Sequence, residues 1–463
     1  MKAKTAQCGL WFGARLATIC NKISLGGLMP VMAADLGYDV KSQGLLLSAF
    51  SLGCFLTQVL GGVASDRYGG KPMMALTLFM LGFGSLTLGM TNNFPCMWLT
   101  LLIMGCFEGP SLPATGVLIV RWVPCGERAF ATAASEAGGP MGALVALFIM
   151  PQVAATLGWR IAIRMCGGGT VLFALLWLKF AASSPEECKY IKTTELEDLR
   201  AQGVLDATPL QAKKAEKVSP FVIAWRLLRI PSVWAAFLGH TLFAFNRYLL
   251  YGWVVTYLVD GVKMGVAEAG RVMFWPSATD AALSVIIGFA SDRLVRSGRL
   301  SLTSVRRLFS TLGFLGTGFG ALALDWSRGT VAVAALVTIM AATQSFHCAG
   351  YKVYYGDLSQ RHTGLINGIG ATLGVSSSYL APVVTAWLLS REGGSKSLEA
   401  WHSVWLSVFA VGVAGSVIFA ALSSSQLIDD RLEGSRDVGQ ELAKLGGSMM
   451  VKDAGDDKIR VVV

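Results

Sequence analysis

Four charged side chains near the middle of long apolar stretches are the strongest candidates for chemistry in this sequence. They are Lys22, Glu108, Arg247 and Asp280. A charged side chain near the centre of a bilayer costs at least about 2.5–3.5 kcal/mol, so it is expected to face a cavity or an opposite charge. Glu136 and His347 lie nearer the ends of such stretches and are weaker candidates. What these groups do therefore depends on whether the apolar stretches cross a membrane.

The composition indicates a membrane protein. Of the 463 residues 53% are hydrophobic and only 15% are charged, whereas soluble domains have about 25% charged residues. A helix needs about 20 apolar residues to cross a bilayer. Twelve runs of about this length occur, at 10–34, 43–64, 72–91, 96–120, 130–155, 161–182, 232–260, 269–290, 308–325, 330–352, 364–389 and 402–422. They do not alternate as barrel strands do, so the predicted fold class is an all-α integral membrane protein with twelve transmembrane helices.

A motif that occurs twice indicates that the two halves of the chain are duplicates. Residues 62–67 read GVASDR and residues 288–293 read GFASDR, an offset of 226 residues in a chain of 463. This repeat predicts two pseudo-symmetric six-helix bundles, at 1–182 and 231–422. The polar segment 183–230 is predicted to be a cytosolic linker without activity of its own, and 423–463 a cytosolic tail.

The positive charges of the loops predict the orientation. If both termini are cytosolic, the short inner loops carry eleven Lys and Arg residues, Lys352 among them, and the outer loops carry eight. An excess on the cytosolic side is typical of membrane proteins. The formal net charge of +10 is thus attributed to topology, and the expected partner is the lipid bilayer and not a nucleic acid.

Lys22 and Arg247 occupy nearly equivalent places in the two halves, because they are 225 residues apart. Transporters built from duplicated halves bind their substrate near the bilayer midplane, between the halves. Two cations facing each other there would suit a small anionic substrate. Glu108 and Asp280 are the candidate residues for coupling transport to H⁺ or Na⁺.

Structural alternatives exist for each of these residues. Glu108 and Asp280 would permanently neutralise Lys22 and Arg247 if they only held helices together, and the protein would then carry neutral solutes or drugs. Glu108 would alternatively stabilise a helix bend at the adjacent Gly109 and Pro110. A membrane sensor that kept the fold but lost translocation is a further alternative.

The duplicated loops provide candidate gating residues. They are Asp66, Arg67, Lys71, Asp292 and Arg293. The carboxylates of Asp66 and Asp292 are expected to bond loop backbone and helix ends and so to lock the cytosolic face, since anions are favourable at helix N-termini.

No enzyme site is apparent in the sequence. The four histidines, His240, His347, His362 and His402, include no pair at helical metal-ligand spacing. No nucleophile has an evident base, and no metal or cofactor is expected. We interpret the nine cysteines as reduced residues, most of which pack within the apolar runs. A GxxxxGK[ST] phosphate loop is missing, so an ion or substrate gradient would drive transport.

Residues 62–71, GVASDRYGGK, resemble the loop signature G-x-x-x-D-R-x-G-x-K of the major facilitator superfamily. More narrowly, the chain resembles the anion:cation symporter branch, which includes vesicular glutamate, sialic acid and sodium-phosphate transporters and plant organellar anion carriers. The likeness extends from about residue 22 to 430 and includes MGCFEGP at 104–110 and DLSQRHTG at 357–364.

The resemblance implies a secondary active transporter that works by alternating access and symport, and not an enzyme. The branch's first-span arginine falls on Lys22. Its span-7 arginine falls on Phe243, with Arg247 one helical turn further along the same face. Glu108 matches the carboxylate that the branch has in span 4.

Overall fold

The computed structural model describes residues 2–38, 40–202, 204, 219–265, 268–269, 272–327, 329–391, 394 and 396–433. These residues are predominantly helical and include no strand, and each of the twelve predicted runs corresponds to a long helix. The helices are α1 Ala3–Leu36, α2 Val40–Tyr68, α3 Gly70–Leu88, α4 Phe94–Trp122, α5 Cys125–Leu157, α6 Trp159–Phe180, α7 Pro231–Gly261, α8 Phe274–Arg296, α9 Leu302–Trp326, α10 Thr330–Leu358, α11 Thr363–Arg391 and α12 Leu398–Leu422. The all-α fold class is confirmed.

Nine helices of the described part are long and apolar enough to cross a membrane. The tenth is α7 taken together with the short helix Pro220–Leu227, from which it is bent by 86°. The other two are α1 and α8, which are 34 and 23 residues long. These two contain the charged candidates Lys22 and Asp280, and their charge lowers their mean hydropathy. A multi-pass membrane protein follows from this arrangement.

Each half of the chain forms a six-helix bundle, α1–α6 and α7–α12. Glycines allow close approach inside the bundles: a Cβ at Gly53 of α2 would collide with the backbone of α4, and one at Gly412 of α12 would lie 2.7 Å from the Phe314 carbonyl oxygen of α9. Large apolar side chains such as Leu172 and Val331 remain exposed on the outer surface. An apolar outer surface is what lipid tails require.

Two helices that occupy equivalent places in the halves are broken near the candidate site residues. In α4 the first segment ends at Glu108, and the second begins at Ser111 after Gly109 and Pro110. The proline has no N–H to continue the helix. In α10 a tight turn, Ser345–Cys348, separates Thr330–Gln344 from Tyr351–Leu358. Such breaks free backbone groups where a cavity accepts them.

The two bundles touch mainly through the pairs α2 with α11 and α5 with α8. Gly62 of α2 lies against Gly364 of α11, and a Cβ at Gly288 of α8 would lie 2.8 Å from the Ala129 carbonyl oxygen of α5. Both contacts are at the end of the molecule that carries the duplicated GxASDR motif. This end, which we call the motif end, is closed.

Part of the predicted linker contacts the start of the N-terminal bundle. The helix Thr193–Ala201 accepts the start of α1, because the Glu195 carboxylate receives the backbone N–H groups of Ala3 and Lys4 at 2.9 and 3.0 Å. Residues 203 and 205–218 of the linker, and residues 434–463 of the predicted tail, lie outside the described residues. The predicted domain boundaries and the cytosolic placement of both termini stay predictions.

Candidate functional site

Arg247 and Asp280 form an ion pair inside the C-terminal bundle. Nη2 of Arg247 lies 2.9 Å from Oδ2 of Asp280, and 30% of the Arg247 side chain is exposed against 6% of Asp280. The second carboxylate oxygen of Asp280 accepts the Ser345 hydroxyl at 2.7 Å. Asp280 is thus anchored behind Arg247 by the broken helix α10. The structure brings together these two predicted residues.

Lys22 and Glu108 are neighbours without direct contact. Both lie in the N-terminal bundle, and Lys22 is near enough to Glu108 for their charges to interact. Neither forms an ion pair or a hydrogen bond with another described residue, and Oε2 of the buried Glu108 has no hydrogen-bond partner there. No direct contact among the described residues therefore supports the alternative in which Glu108 permanently neutralises Lys22.

Glu136 is bound by two cations, which the sequence reasoning did not anticipate. Its Oε2 accepts Nζ of Lys352 at 3.0 Å, and its Oε1 lies 3.4 Å from Nε of Arg15. Arg15 and Glu136 belong to the N-terminal bundle and Lys352 to the C-terminal one, so the bridge joins the halves. Side-chain exposure is 16–21% for the three.

A sequence signal for Arg15 was available. It lies seven residues before Lys22 in the same apolar run, which is about two helical turns and places both cations on one face of α1. The predicted tenth run ends at Lys352, and this end is placed too early, because α10 continues to Leu358. Helix ends are the least certain part of a sequence prediction, because the apolar pattern ends before the backbone hydrogen bonding does.

Aromatic rings line the C-terminal side of this charged region. The ring of Phe243 has Cζ of Arg247 at 5.7 Å and Nζ of Lys352 at 5.4 Å from its centroid. His347 is buried among Phe243, Phe314 and Tyr351, with ring centroids 4.4–5.5 Å from its own. His347 is therefore a packing residue, and the cations stand over aromatic faces that stabilise them.

Asp66 closes the motif end by bonding a helix of the other bundle. Its two carboxylate oxygens accept the backbone N–H groups of Gly364 and Leu365, at 2.8 and 2.7 Å. These N–H groups belong to the first turn of α11, where the helix dipole favours a negative charge. Arg121 Nη2 donates to the Asp66 carbonyl at 3.0 Å.

Asp292 makes the equivalent contact in the opposite direction. Its carboxylate accepts the N–H groups of Ala129 and Phe130, near the start of α5, at 3.2 and 2.7 Å. Each aspartate therefore binds the N-terminal turn of a helix in the other half. The predicted contact of both carboxylates with helix ends is present, and their gating role stays a prediction.

The predicted basic gating residues Arg67 and Arg293 directly follow these two aspartates, and their gating role stays a prediction. Arg67 and Arg293 are exposed, and the side chains of these two and of Lys71 form no hydrogen bond or ion pair with another described residue. Two buried arginines make hydrogen bonds at this end. Arg128 donates to the Gly356 carbonyl across the halves at 2.8 Å, and Arg306 donates to the fully buried Asp357 at 2.7 Å.

Among the described residues, no group of three or more His, Cys, Asp or Glu side chains is arranged to hold a metal ion. The site consists of positively and negatively charged side chains between the two bundles. Such a site can bind an ion or an ionised solute electrostatically.

The chain is similar to plant transporters over most of its length. It is 26% identical over 424 residues to the "Ascorbate transporter, chloroplastic" of Arabidopsis thaliana, covering 91% of this chain and 75% of that protein. It is 26% identical over 428 residues to the "Sodium-dependent phosphate transport protein 1, chloroplastic" of Arabidopsis thaliana, covering 91% and 79%. It is 27% identical over 416 residues to the "Probable anion transporter 4, chloroplastic" of Oryza sativa subsp. japonica, covering 89% and 67%.

Solved transporter structures share the fold. The proton:xylose symporter XylE superposes with a TM-score of 0.66 at 14% identity, covering 94% of this chain and 99% of that one. The human organic anion transporter MFSD10 (TETRAN) superposes with a TM-score of 0.63 at 15% identity, covering 90% and 100%. At these identities the likeness concerns the fold alone.

The family resemblance stated from the sequence is confirmed. The sequence profile described as Major Facilitator Superfamily matches residues 10–305, more than half of the chain. The similar proteins are named as transporters, which also confirms that the chain is not an enzyme. With twelve helices in two bundles and a closed motif end, the chain belongs to the Major Facilitator Superfamily.

Proposed function

We propose that this protein is a secondary active transporter of a small anion, of the phosphate or carboxylate class, coupled to H⁺ or Na⁺. The substrate would bind between the bundles near Lys22 and Arg247 and be released by alternating access. The coupling residues would be Glu108 and Asp280. The names of the similar plant proteins, which specify ascorbate and phosphate, support this substrate class.

The observation that carries the proposal is the excess of positive charge between the bundles. The cations are Arg15, Lys22, Arg247 and Lys352, and the carboxylates are Glu108, Glu136 and Asp280. The formal charges of these seven side chains sum to +1, and Lys22 has no ion pair in the described part. An anion entering this region would be attracted and would satisfy that charge.

Uptake into proteoliposomes tests the proposal. Purified protein would be supplied with phosphate, glutamate, ascorbate or sialic acid, with and without imposed pH, sodium and voltage gradients. We expect saturable uptake of at least one of these anions, with accumulation above equilibrium when H⁺ or Na⁺ is imposed. Protein-free liposomes are the control. No uptake of any anion under any gradient would contradict the proposal.

A carrier for neutral solutes is the second candidate, and the Arg247–Asp280 pair favours it. The pair at 2.9 Å neutralises one predicted substrate cation, and Lys352 is paired with Glu136. The two candidates differ in the same experiment, because a neutral-solute carrier would take up uncharged sugars or drugs and would not transport the four anions.

With both termini on the cytosolic side, as the loop charges predict, the closed motif end would face the cytosol.

The first mutational prediction concerns the motif end. Asp66→Asn removes the charge that faces the first turn of α11, a charge–dipole interaction worth about 0.3–1 kcal/mol and up to about 2. Because the Asp66 carboxylate bonds Gly364 and Leu365 and neither Lys22 nor Arg247 in the described residues, we expect kcat to fall about 3- to 10-fold with little change in KM. Initial uptake rates over a range of substrate concentrations measure both. Asp292→Asn should have the same effect, and wild-type turnover in both variants would refute the gating role.

The second prediction compares the two predicted substrate cations. Lys22→Arg keeps the charge and restores the family's residue, whereas Arg247→Lys removes a planar fork that binds a carboxylate or phosphate with two hydrogen bonds. We therefore expect Lys22→Arg to retain most anion binding and Arg247→Lys to weaken it clearly. Equilibrium binding of radiolabelled phosphate and ascorbate to the purified variants provides the comparison. The reverse order of tolerance would contradict the assigned roles.

A further inference from the structure

We infer that Lys352 is a further substrate-binding cation and that Glu136 occupies it as an internal substitute for the anion while the carrier is empty. The inference rests on the proposed function, because it presupposes an anionic substrate. It adds a residue from α10 to the site and assigns a role to the Glu136 bridge. The contacts of the two residues supply the argument.

Lys352 and Arg247 converge on one place in the C-terminal bundle. Both cations stand over the ring of Phe243, at 5.4 Å for Nζ of Lys352 and 5.7 Å for Cζ of Arg247. The two also interact electrostatically with each other. Two like charges held so close together repel, and an anion placed between them relieves that repulsion. Lys352 is 21% exposed, and Arg247 30%, so neither cation is fully enclosed by protein.

The two carboxylates beside these cations are held very differently. Asp280 is 6% exposed and accepts the Ser345 hydroxyl as well as Arg247. Glu136 is 18% exposed, and its only partners among the described residues are Arg15 and Lys352. No hydroxyl or backbone N–H group of that part holds the Glu136 carboxylate in place. An arriving anion therefore displaces Glu136 from Lys352 more easily than it displaces Asp280 from Arg247.

The bridge also joins the parts that must move. Glu136 lies on α5 of one bundle and Lys352 on α10 of the other, so rocking of the bundles pulls their 3.0 Å contact apart. A half-buried ammonium left without a partner is unfavourable. Glu136 keeps Arg15, which is in its own bundle at 3.4 Å, whereas Lys352 loses its ion-pair partner. A bound anion on Lys352 replaces that partner and makes the movement with substrate easier than the movement without it.

Replacing Glu136 or Lys352 by the uncharged glutamine should have opposite effects on anion binding. This difference distinguishes the proposed role from that of a structural bridge. Glu136→Gln frees Lys352 for the anion, so phosphate or ascorbate should bind about 3- to 10-fold more tightly. Lys352→Gln removes a charge-assisted partner, so binding should weaken at least about tenfold. The double variant should bind as weakly as Lys352→Gln alone, and Lys352→Arg should retain binding. A residue that only bridges the bundles would give both single variants the same direction of change.

The measurement is equilibrium binding of radiolabelled phosphate and ascorbate to purified, monodisperse full-length protein, with Lys189→Gln as the control. Lys189 is an exposed lysine outside the bundles. Equal weakening in both single variants, or no change in either, overturns the inference while wild-type binding leaves the proposed function intact. Wild-type protein that binds and transports no anion overturns both. If Lys352→Gln does not fold, Glu136→Gln decides alone, and unchanged or weaker binding in it refutes the inference.

Discussion

Arg247→Ala is expected to weaken anion binding at least about tenfold in protein that still folds. The side chain is 30% exposed between the bundles and contacts Asp280 at 2.9 Å. A charge-assisted hydrogen bond to an anion is worth about 1.5–3 kcal/mol, which corresponds to a tenfold loss or more. Asp280 keeps the Ser345 hydroxyl at 2.7 Å when the arginine is removed. Equilibrium binding of phosphate and ascorbate gives the affinity, and size-exclusion profiles give the folded yield.

Asp280→Asn separates this role from that of a helix clamp. If Arg247 only neutralises Asp280, Arg247→Ala leaves a buried charge uncompensated and reduces folded yield, and adding Asp280→Asn restores it. If Arg247 binds the substrate, the double variant folds but still binds poorly. Arg299→Ala, which removes an exposed loop arginine, is the matched control. Folded Arg247→Ala protein that binds its anion normally would end the substrate role.

The fold was predictable because its signals are local or repeated. Each helix is a run of apolar residues long enough to cross a bilayer, and the offset of 226 residues between GVASDR and GFASDR reveals the duplication. A bilayer allows few alternatives to helices for such runs, since every backbone polar group must be paired within the segment. The breaks in α4 and α10 were harder to place. Only the first contains a proline, Pro110, whereas no proline marks the second, at Ser345–Cys348.

The site was predictable in its charges and not in their pairing. Lys22, Arg247, Glu108 and Asp280 were identifiable because a charge inside an apolar run is costly. Which charges meet depends on helix rotation and on residues far apart in sequence. Glu136 and Lys352 are 216 positions apart, and no periodicity links them. The Glu136–Lys352 contact between the halves therefore emerged only from the structure.

The gating residues were likewise predictable in part. The duplicated motif located Asp66 and Asp292, and helix electrostatics predicted that each would bind a helix end. The sequence does not specify that the helix end belongs to the other bundle, as Gly364 and Ala129 do. Nor does it distinguish the exposed Arg67 from the buried Arg306, because both lie in polar loop-like sequence. Burial at a bundle interface arises from packing, which local patterns do not record.

Glu108→Gln is expected to abolish gradient-driven accumulation while sparing exchange of anion for anion. Glu108 is 5% exposed and lies at the break of α4, and Oε2 has no hydrogen-bond partner in the described part. Lys22 and Arg15 influence it electrostatically without contacting it. A buried carboxylate with no direct counter-ion is a site where a bound H⁺ or Na⁺ supplies the missing neutralisation. Glutamine has the same shape and cannot take on that role.

The experiment measures two modes of transport in the same proteoliposomes. Uptake of labelled anion that is driven by an imposed pH or sodium gradient reports coupling. Uptake that is driven only by unlabelled anion inside the liposomes reports exchange. In Glu108→Gln we expect the first to fall to the level of protein-free liposomes and the second to persist. Glu197→Gln, which neutralises an exposed carboxylate of the linker helix, should leave both modes unchanged. Glu136 offers the contrast that makes the result specific, since its carboxylate is already occupied by Arg15 and Lys352. Accumulation at the wild-type level in Glu108→Gln would transfer the coupling role to another carboxylate, and Asp280→Asn would then be expected to lose it.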